Sequence, residues 1–423
     1  MAIKRIPITQ LIPGMYLVEM DIPWYRTPFL SHKFAIKDLD TVQTMKRQGI
    51  RMVTIDTSKG LDVQMAPAQA SQEGQEPCAP PQPPPVESGS SAATSASGGA
   101  AAHDATPLPS AIYAQAQEAV ERIFTDLERG IAPSPEATKA IVSTVLDHVL
   151  SDHAAMVTQL AIQKIKQFDR SLTTHALDTC ILSLIVALEN GLDQSAQELV
   201  GMGALLHDTG YVRLPRNLVR KREDCIGQDK TLLEQHCKLG IAVLAERPGM
   251  PEEVLRIVSE HHERSNGSGY PAGLRSDHIL PLAQIVGIVD FYDGMVSRRG
   301  TRPSMMPHDA VRQLFLAGER GQFEKSLVEL MIRSIGVYPV GSLVRLNTGE
   351  QAVVVGVNPQ QRLKPLVKVT TDRQGGAYPT PIEVDLSVPS EDHTVRSVLR
   401  VLNPTHERVN IGIHLDNPDL RAA

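Results

Sequence analysis

The sequence predicts a mainly α protein, with a bundle of roughly nine helices set between a small α/β N-terminal domain and a small β-rich C-terminal module. Three observations carry this. Apolar residues recur at helical spacing from Ser110 to about residue 320, with short connections and no β-α-β alternation. Aromatic residues make up only 4% of the chain, and a core of Leu, Ile, Val and Ala suits helices better than a β-sandwich. Composition also changes abruptly along the 423 residues, dividing them into 1–62, 63–109, 110–335 and 336–423.

In the first segment, Tyr16-Leu-Val-Glu-Met and Met52-Val-Thr-Ile read as strands. A helix is expected from Lys37 to Gln48, stopped by Gly49, and Pro13-Gly14 marks a turn. No cluster of metal-ligand type occurs here, so a sensory or interaction role is expected. Residues 63–109 are dominated by Ala, Pro, Ser, Gly and Gln, including Pro81-Gln-Pro-Pro-Pro, and no Lys or Arg falls between Lys59 and Arg122. Such a segment buries too little apolar surface to fold and is expected to be a disordered tether, with Cys78 and His103 as bystanders.

Ile112, Ala116, Val120, Ile123 and Leu127 mark the first helix of the bundle, ended at Gly130. Pro133-Ser-Pro-Glu starts the next, with Ile141, Val145 and Val149 on its apolar face. Further helices are expected at 155–168, 173–190, 195–208, 229–246, 251–263, 281–298 and 307–320. Beyond Gly336, Gly341-Ser-Leu-Val-Arg-Leu and Glu350-Gln-Ala-Val-Val-Val read as strands joined by an Asn-Thr-Gly turn. Val367-Lys-Val-Thr-Thr and Ile382-Glu-Val-Asp-Leu add two more, and the tail after Ser390 carries no signal.

A net charge of −6 and a pI near 6.2 argue against a DNA partner or a membrane-surface binder, although a local basic patch still suits a small anion. Met-Ala-Ile-Lys-Arg-Ile-Pro lacks the apolar run of a signal peptide, and no stretch reads as a membrane span. Cys78, Cys180, Cys225 and Cys237 show no Cys-x-x-Cys spacing. Reduced thiols and a cytoplasmic location are expected.

The bundle is organised around Leu205-Leu-His207-Asp208-Thr-Gly210-Tyr211, where an imidazole and a carboxylate stand side by side at a helix end. Alone, such a pair is weak. His175, His236, His261, His262 and Asp290 lie on other apolar helical stripes, with Asp293 one turn beyond Asp290. One buried histidine is usually a satisfied core residue. Burying seven titratable groups in one bundle is costly unless a cation neutralises them. Five imidazoles and two carboxylates suit two first-row transition-metal ions sharing Asp208, a centre matched to a phosphodiester substrate. The loop Glu263-Arg264-Ser-Asn266-Gly-Ser-Gly269-Tyr270-Pro271 reads as a rigid rim where Arg264 and Asn266 could touch substrate.

His175, His207-Asp208, His236, His261-His262-Glu263-Arg264, Gly269-Tyr270-Pro271 and Asp290-x-Tyr292-Asp293 resemble, in order and spacing, the HD-GYP family of cyclic di-GMP phosphodiesterases. The N-terminal segment resembles a domain of unknown function often found ahead of HD-GYP domains, and the C-terminal module is similar to extensions in some relatives. The resemblance implies an all-helical HD-type bundle holding two divalent ions, iron or manganese. It implies hydrolysis of the 3′–5′ bonds of cyclic di-GMP to pGpG or GMP. His175, His207, Asp208, His236, His261, His262 and Asp290 become the metal ligands. Asp208, Asp293 and Tyr211 take the catalytic positions, and Arg264, Asn266, Tyr270, Arg299 and Arg302 contact substrate. The alternative is a catalytically weak receptor for the nucleotide, or a scaffold for a GGDEF-type protein at the Gly-Tyr-Pro loop; a homodimer is also compatible.

Three departures from the family pattern stand out. Tyr211 replaces a Lys that faces the scissile phosphate and pairs with the Asp matching Asp293, which implies a slow enzyme that Tyr211→Lys would speed. Ser171 stands where trinuclear members have a Glu ligand, which implies two ions. Gly300-Thr301 replaces Pro-Tyr between Arg299 and Arg302.

Overall fold

The structure, a computed structural model, describes residues 3–21, 34–36, 38–47, 49–62, 109–166, 171–297, 304–358, 360–389 and 395–415. Arg299, Arg302 and nearly all of the expected tether lie outside them. The chain forms two compact units, divided before residue 108.

In the N-terminal unit, β1 (Ile3–Pro7), β2 (Tyr16–Met20), β3 (Phe34–Ala35) and β4 (Met52–Asp56) form a sheet of order β1-β4-β2-β3, accompanied by α1 (Leu39–Arg47). Leu11, Met15, Leu17, Ile36, Met45, Val53 and Ile55 make its core. The strand β1 escapes sequence reading because Ile6 is its one fully buried residue, leaving no alternation to detect.

The helical unit begins with α2 (Pro109–Glu128), α3 (Pro135–Ser151), α4 (His153–Lys166), α5 (Leu172–Glu189) and α6 (Gln194–Leu206). Its helix starts are capped: Ser134 accepts the N–H of Ala137, Ser171 that of Thr174 and Asp193 that of Ala196. Ser171 is thus engaged as the N-cap of α5. Helix α5 is buried from Thr174 through Ala187 and packs against α2, α3, α4 and α6. Each fully buried Leu, Ile or Val on it contributes roughly 1.5–3 kcal/mol. Its 18 residues have a mean hydropathy of 1.4, enough by length and composition to cross a bilayer, which departs from the sequence expectation; 78% of that window is buried within the unit. It is a core helix, apolar all round because neighbours cover every face.

After a 3-10 turn at Thr209–Arg213 come α7 (Arg216–Arg220), α8 (Gly227–Glu234), α9 (His236–Ala245), α10 (Glu252–Glu260), α11 (Pro281–Val296), α12 (Pro307–Glu319) and α13 (Lys325–Ile335). Two details differ from the periodicity. The single helix expected over 229–246 breaks at Gln235, so His236 opens a helix of its own. Helix α13, with Leu327, Val328, Leu330 and Met331 buried, lies beyond the last helix the periodicity predicts.

The C-terminal module is an antiparallel sheet of β5 (Leu343–Leu346), β6 (Gln351–Gly356), β7 (Leu366–Thr371), β8 (Ala377–Asp385) and β9 (Val398–Leu402), in the order β8-β7-β6-β5-β9. Period-2 alternation splits its core. Leu343, Val353 and Leu402 face Ile162 of α4, whereas Val344, Leu346, Val354, Val367 and Val369 pack on the other side. The fifth strand comes from the tail that carried no signal, since Leu402 alone is buried in it. Short helices α14 (Pro404–Glu407) and α15 (Gly412–Leu415) close the described chain.

Candidate metal centre

The seven ligand candidates arrive from five elements, and two glycines let those elements close. A Cβ on Gly210 would lie 1.8 Å from the carbonyl oxygen of His236, so only glycine lets the turn after His207-Asp208 press against the start of α9. A Cβ on Gly287 would lie 2.4 Å from the His261 carbonyl, so α11 approaches the end of α10 on the same condition.

The carboxylate of Asp208 is shared. Its Oδ2 lies 3.4 Å from His207 Nε2 and 3.7 Å from His175 Nε2, and its Oδ1 lies 3.5 Å from His236 Nε2 and 3.9 Å from His261 Nε2. The donors therefore form two sets, His175–His207–Asp208 and Asp208–His236–His261–His262, with ligand atoms within 4.8 Å of one another in each. Asp290 spans both, with Oδ1 3.0 Å from His175 Nε2 and Oδ2 3.6 Å from His262 Nδ1.

The outer nitrogens are fixed in a repeated way. His207, His236 and His261 each donate Nδ1–H to the carbonyl three residues earlier, on Ala204, Leu233 and Val258, at 2.7, 2.7 and 3.0 Å. His175 donates Nδ1–H to Asp293 at 2.8 Å. Each bond selects the tautomer whose Nε2 lone pair points inward. The inward nitrogens then face one another at 3.3 Å, His207 against His175 and His236 against His261. Converging lone pairs and carboxylate oxygens in a buried site fit divalent cations.

Electrostatics agree. Burial alone would raise the carboxyls of Asp208 and Asp290, but surrounding imidazoles hold both well below the usual range. Burial, reinforced by neighbouring imidazoles, pushes His261 down to about 3 and His262 well below its ordinary value. Burial would also lower His207, yet the charge and hydrogen bond of Asp208 push it up to about 9, so without a cation Nε2 holds a proton toward Asp208 that a bound ion would displace.

The donors open onto a cleft of about 420 Å³. Asp208, Tyr211, His262, Arg264, Tyr270 and Asp290 line it, together with Arg222, Lys230 and Phe291. Tyr270 stacks on His262, ring centroids 4.5 Å apart, and burial raises its phenol, which stays a donor. Arg264 is tied to the carbonyls of His261 and Glu263 and stacks over Phe323, so its guanidinium braces the rim as well as lining the cleft. Asn266 does not line it; its amide donates to the carbonyl of Arg320 at the end of α12 and accepts the N–H of Ser268 in its own loop. Asp293 lies behind His175, held by His175, Ser297 and Lys164, and is likewise absent from the lining. Sequence reading missed Arg222, in a polar stretch that looks like a solvated connection, Lys230, near the start of the helix expected over 229–246, and Lys164 on α4.

Family comparisons accord with this geometry. Residues 144–327 match an HD domain, 3–138 a domain of unknown function, DUF3391, and 343–404 a KOW domain associated with the HD domain. Over residues 144–327 the central bundle matches the HD domain. The sequence resemblance to the HD-GYP family stands on this match, and the HD domain is a metal-dependent family. The chain is 28% identical over 368 residues to the cyclic di-GMP phosphodiesterase PA4108 of Pseudomonas aeruginosa, covering 87% of this chain and 85% of that one. The 3'3'-cGAMP-specific phosphodiesterase 2 of Vibrio cholerae is 28% identical over 143 residues, 34% of this chain and 27% of that protein. Among solved structures, Bd1817, an HDG"Y"P protein from Bdellovibrio bacteriovorus, aligns with 78% of this chain and 98% of its own at 17% identity and a TM-score of 0.46.

Proposed function

We propose that this HD domain hydrolyses cyclic di-GMP at a two-ion centre, giving pGpG or GMP. The observation that carries this is the division of Asp208 between two histidine sets, one carboxylate oxygen toward each. The relative named as a cyclic di-GMP phosphodiesterase, aligned over most of both chains, supports the choice of substrate.

His175, His207, Asp208 and Asp290 would hold one ion, and Asp208, His236, His261 and His262 the other. Bound there, iron or manganese would supply Lewis-acid polarisation of the phosphoryl oxygens and lower the pKa of a bound water. The chain's own residues do the rest. Arg222 brings positive charge to the cleft, where it would meet phosphate oxygens as they gain charge, while Lys230 on the same lining is paired with Glu234 at 3.9 Å. Tyr270 and Phe291 line the cleft with aromatic surface for purine rings. The Tyr270 hydroxyl, held protonated, donates a hydrogen bond.

The test is turnover of cyclic di-GMP by protein purified anaerobically with iron or manganese, with metal content measured on the same sample. Hydrolysis with about two ions per chain supports the reading. Because a relative is named for 3'3'-cGAMP, that nucleotide belongs in the same assay. Faster turnover of it than of cyclic di-GMP would reassign the substrate, and tight nucleotide binding without turnover would reassign the protein as a receptor.

A further inference from the structure

His175 is held at its outer nitrogen by a charged side chain, whereas His207, His236 and His261 are held there by backbone carbonyls. Asp293, 1% exposed on α11, accepts its Nδ1–H at 2.8 Å and the hydroxyl of Ser297 at 2.9 Å on the same oxygen. The other oxygen of Asp293 pairs with the ammonium of Lys164, from α4. The same ammonium lies 3.4 Å from Asp178, which sits one turn after His175 on α5 and accepts the hydroxyl of Tyr113 at 2.7 Å. Lys164 borders a separate cavity of about 370 Å³ between α4, α5, α11 and the C-terminal module, and it is not part of the cleft lining.

We propose that Lys164 is a positioning residue for the half-site formed by His175, His207 and Asp208. Two buried carboxylates flank the ammonium, and removing it leaves both with less compensating charge. Asp293 is then free to shift from His175 toward another donor, and the imidazole loses the bond that fixes its tautomer and ring plane. Groups that orient a metal-bound histidine in this way typically govern affinity by roughly 10- to 100-fold. The half-site of His236, His261 and His262 does not depend on this network, because two of its histidines are held by backbone carbonyls. Lys164 therefore tunes one ion and leaves the other unchanged.

This inference rests on the two-ion reading, and the experiment separates the two. Full-length wild type, Lys164→Met and Lys164→Arg are stripped and titrated with manganese against a competing chelator, with thermal unfolding measured alongside. The expected result is two binding steps in wild type, one of them weakened roughly 10- to 100-fold in Lys164→Met and largely restored in Lys164→Arg. If wild type binds no ion, the two-ion reading and this inference both fall. If wild type binds two and Lys164→Met binds both with unchanged affinity, only this inference falls. Equal weakening of both steps would overturn it as well. Should Lys164→Met not fold, Asp293→Asn, which keeps the volume, takes its place and must show the same selective loss.

Discussion

The phenol ring of Tyr211 lies flat on the imidazole of His236, with ring centroids 4.2 Å apart and planes inclined by 16°. On the cleft side, the guanidinium of Arg222 sits 6.0 Å from the Tyr211 ring. The position that the resemblance assigns to a Lys is therefore built as a stacking platform. A Lys there would lose the stack and bring an ammonium up to Arg222, while Asp293 is already held by Lys164 and His175. Sequence reasoning expects Tyr211→Lys to speed turnover; the geometry argues that it does not. Tyr211→Phe keeps the stack and stays close to wild type, whereas Arg222→Ala lowers kcat on the order of a hundredfold at unchanged metal content. A faster Tyr211→Lys enzyme, or a fully active Arg222→Ala, would sink this account.

Asp208 faces both histidine sets, so on the two-ion reading its loss would not be confined to one ion. Asp208→Ala should lower metal content from about two ions per chain to fewer than one and abolish turnover with it. Elemental analysis of the purified variant checks this, and retention of both ions contradicts the shared role.

The legibility of this chain differs between its parts for physical reasons. The seven donors could be read because charged residues stand out on apolar stripes, and the structure collects all seven. Asp293, given a catalytic position by the resemblance, sits behind His175, and Asn266, expected on the rim, does not line the cleft. Lys164 was invisible. A Lys on an amphipathic helix reads as solvated, and its burial depends on α5 and α11, more than a hundred residues away in the case of Asp293. Strands β1 and β9 escaped for the opposite reason: each buries one residue fully, so hydrogen-bond pairing places them and periodicity says nothing.

Glu350, in the β5–β6 turn and 3% exposed, receives two bonds from Arg396, at 2.8 and 3.1 Å, and ties the start of β9 to the hairpin. Burial alone would raise its carboxyl, but the bonds from Arg396 and Thr348 outweigh this and hold it below 4.5. A depressed carboxyl contributes stability that is full above about pH 4.5 and fades as pH falls through the folded-state value. Glu350→Gln should cost about 1–3 kcal/mol at pH 7. The gap in thermal midpoint between the two proteins should then narrow below pH 4.5. A gap that is constant from pH 7 into that range would show that charge is not what Glu350 contributes.

Glu263 offers the sharpest test of the rim. Its buried carboxylate accepts the backbone N–H of Ala272 at 2.7 Å and of Leu274 at 2.8 Å, closing the loop that presents Tyr270 to the cleft. Neither oxygen belongs to the two ligand sets, so the residue acts on the loop alone. Glu263→Gln keeps one acceptor and turns the other into a donor facing an N–H, which cannot be satisfied without moving the chain. The displaced Tyr270 would lose its stack on His262 and its place beside the substrate. The expected outcome is a KM raised about tenfold, or roughly 1.4 kcal/mol, with kcat and metal content near wild type. Loss of metal instead would mean that Glu263 supports His261 and His262 directly. An unchanged KM would mean that the loop does not hold the substrate at all.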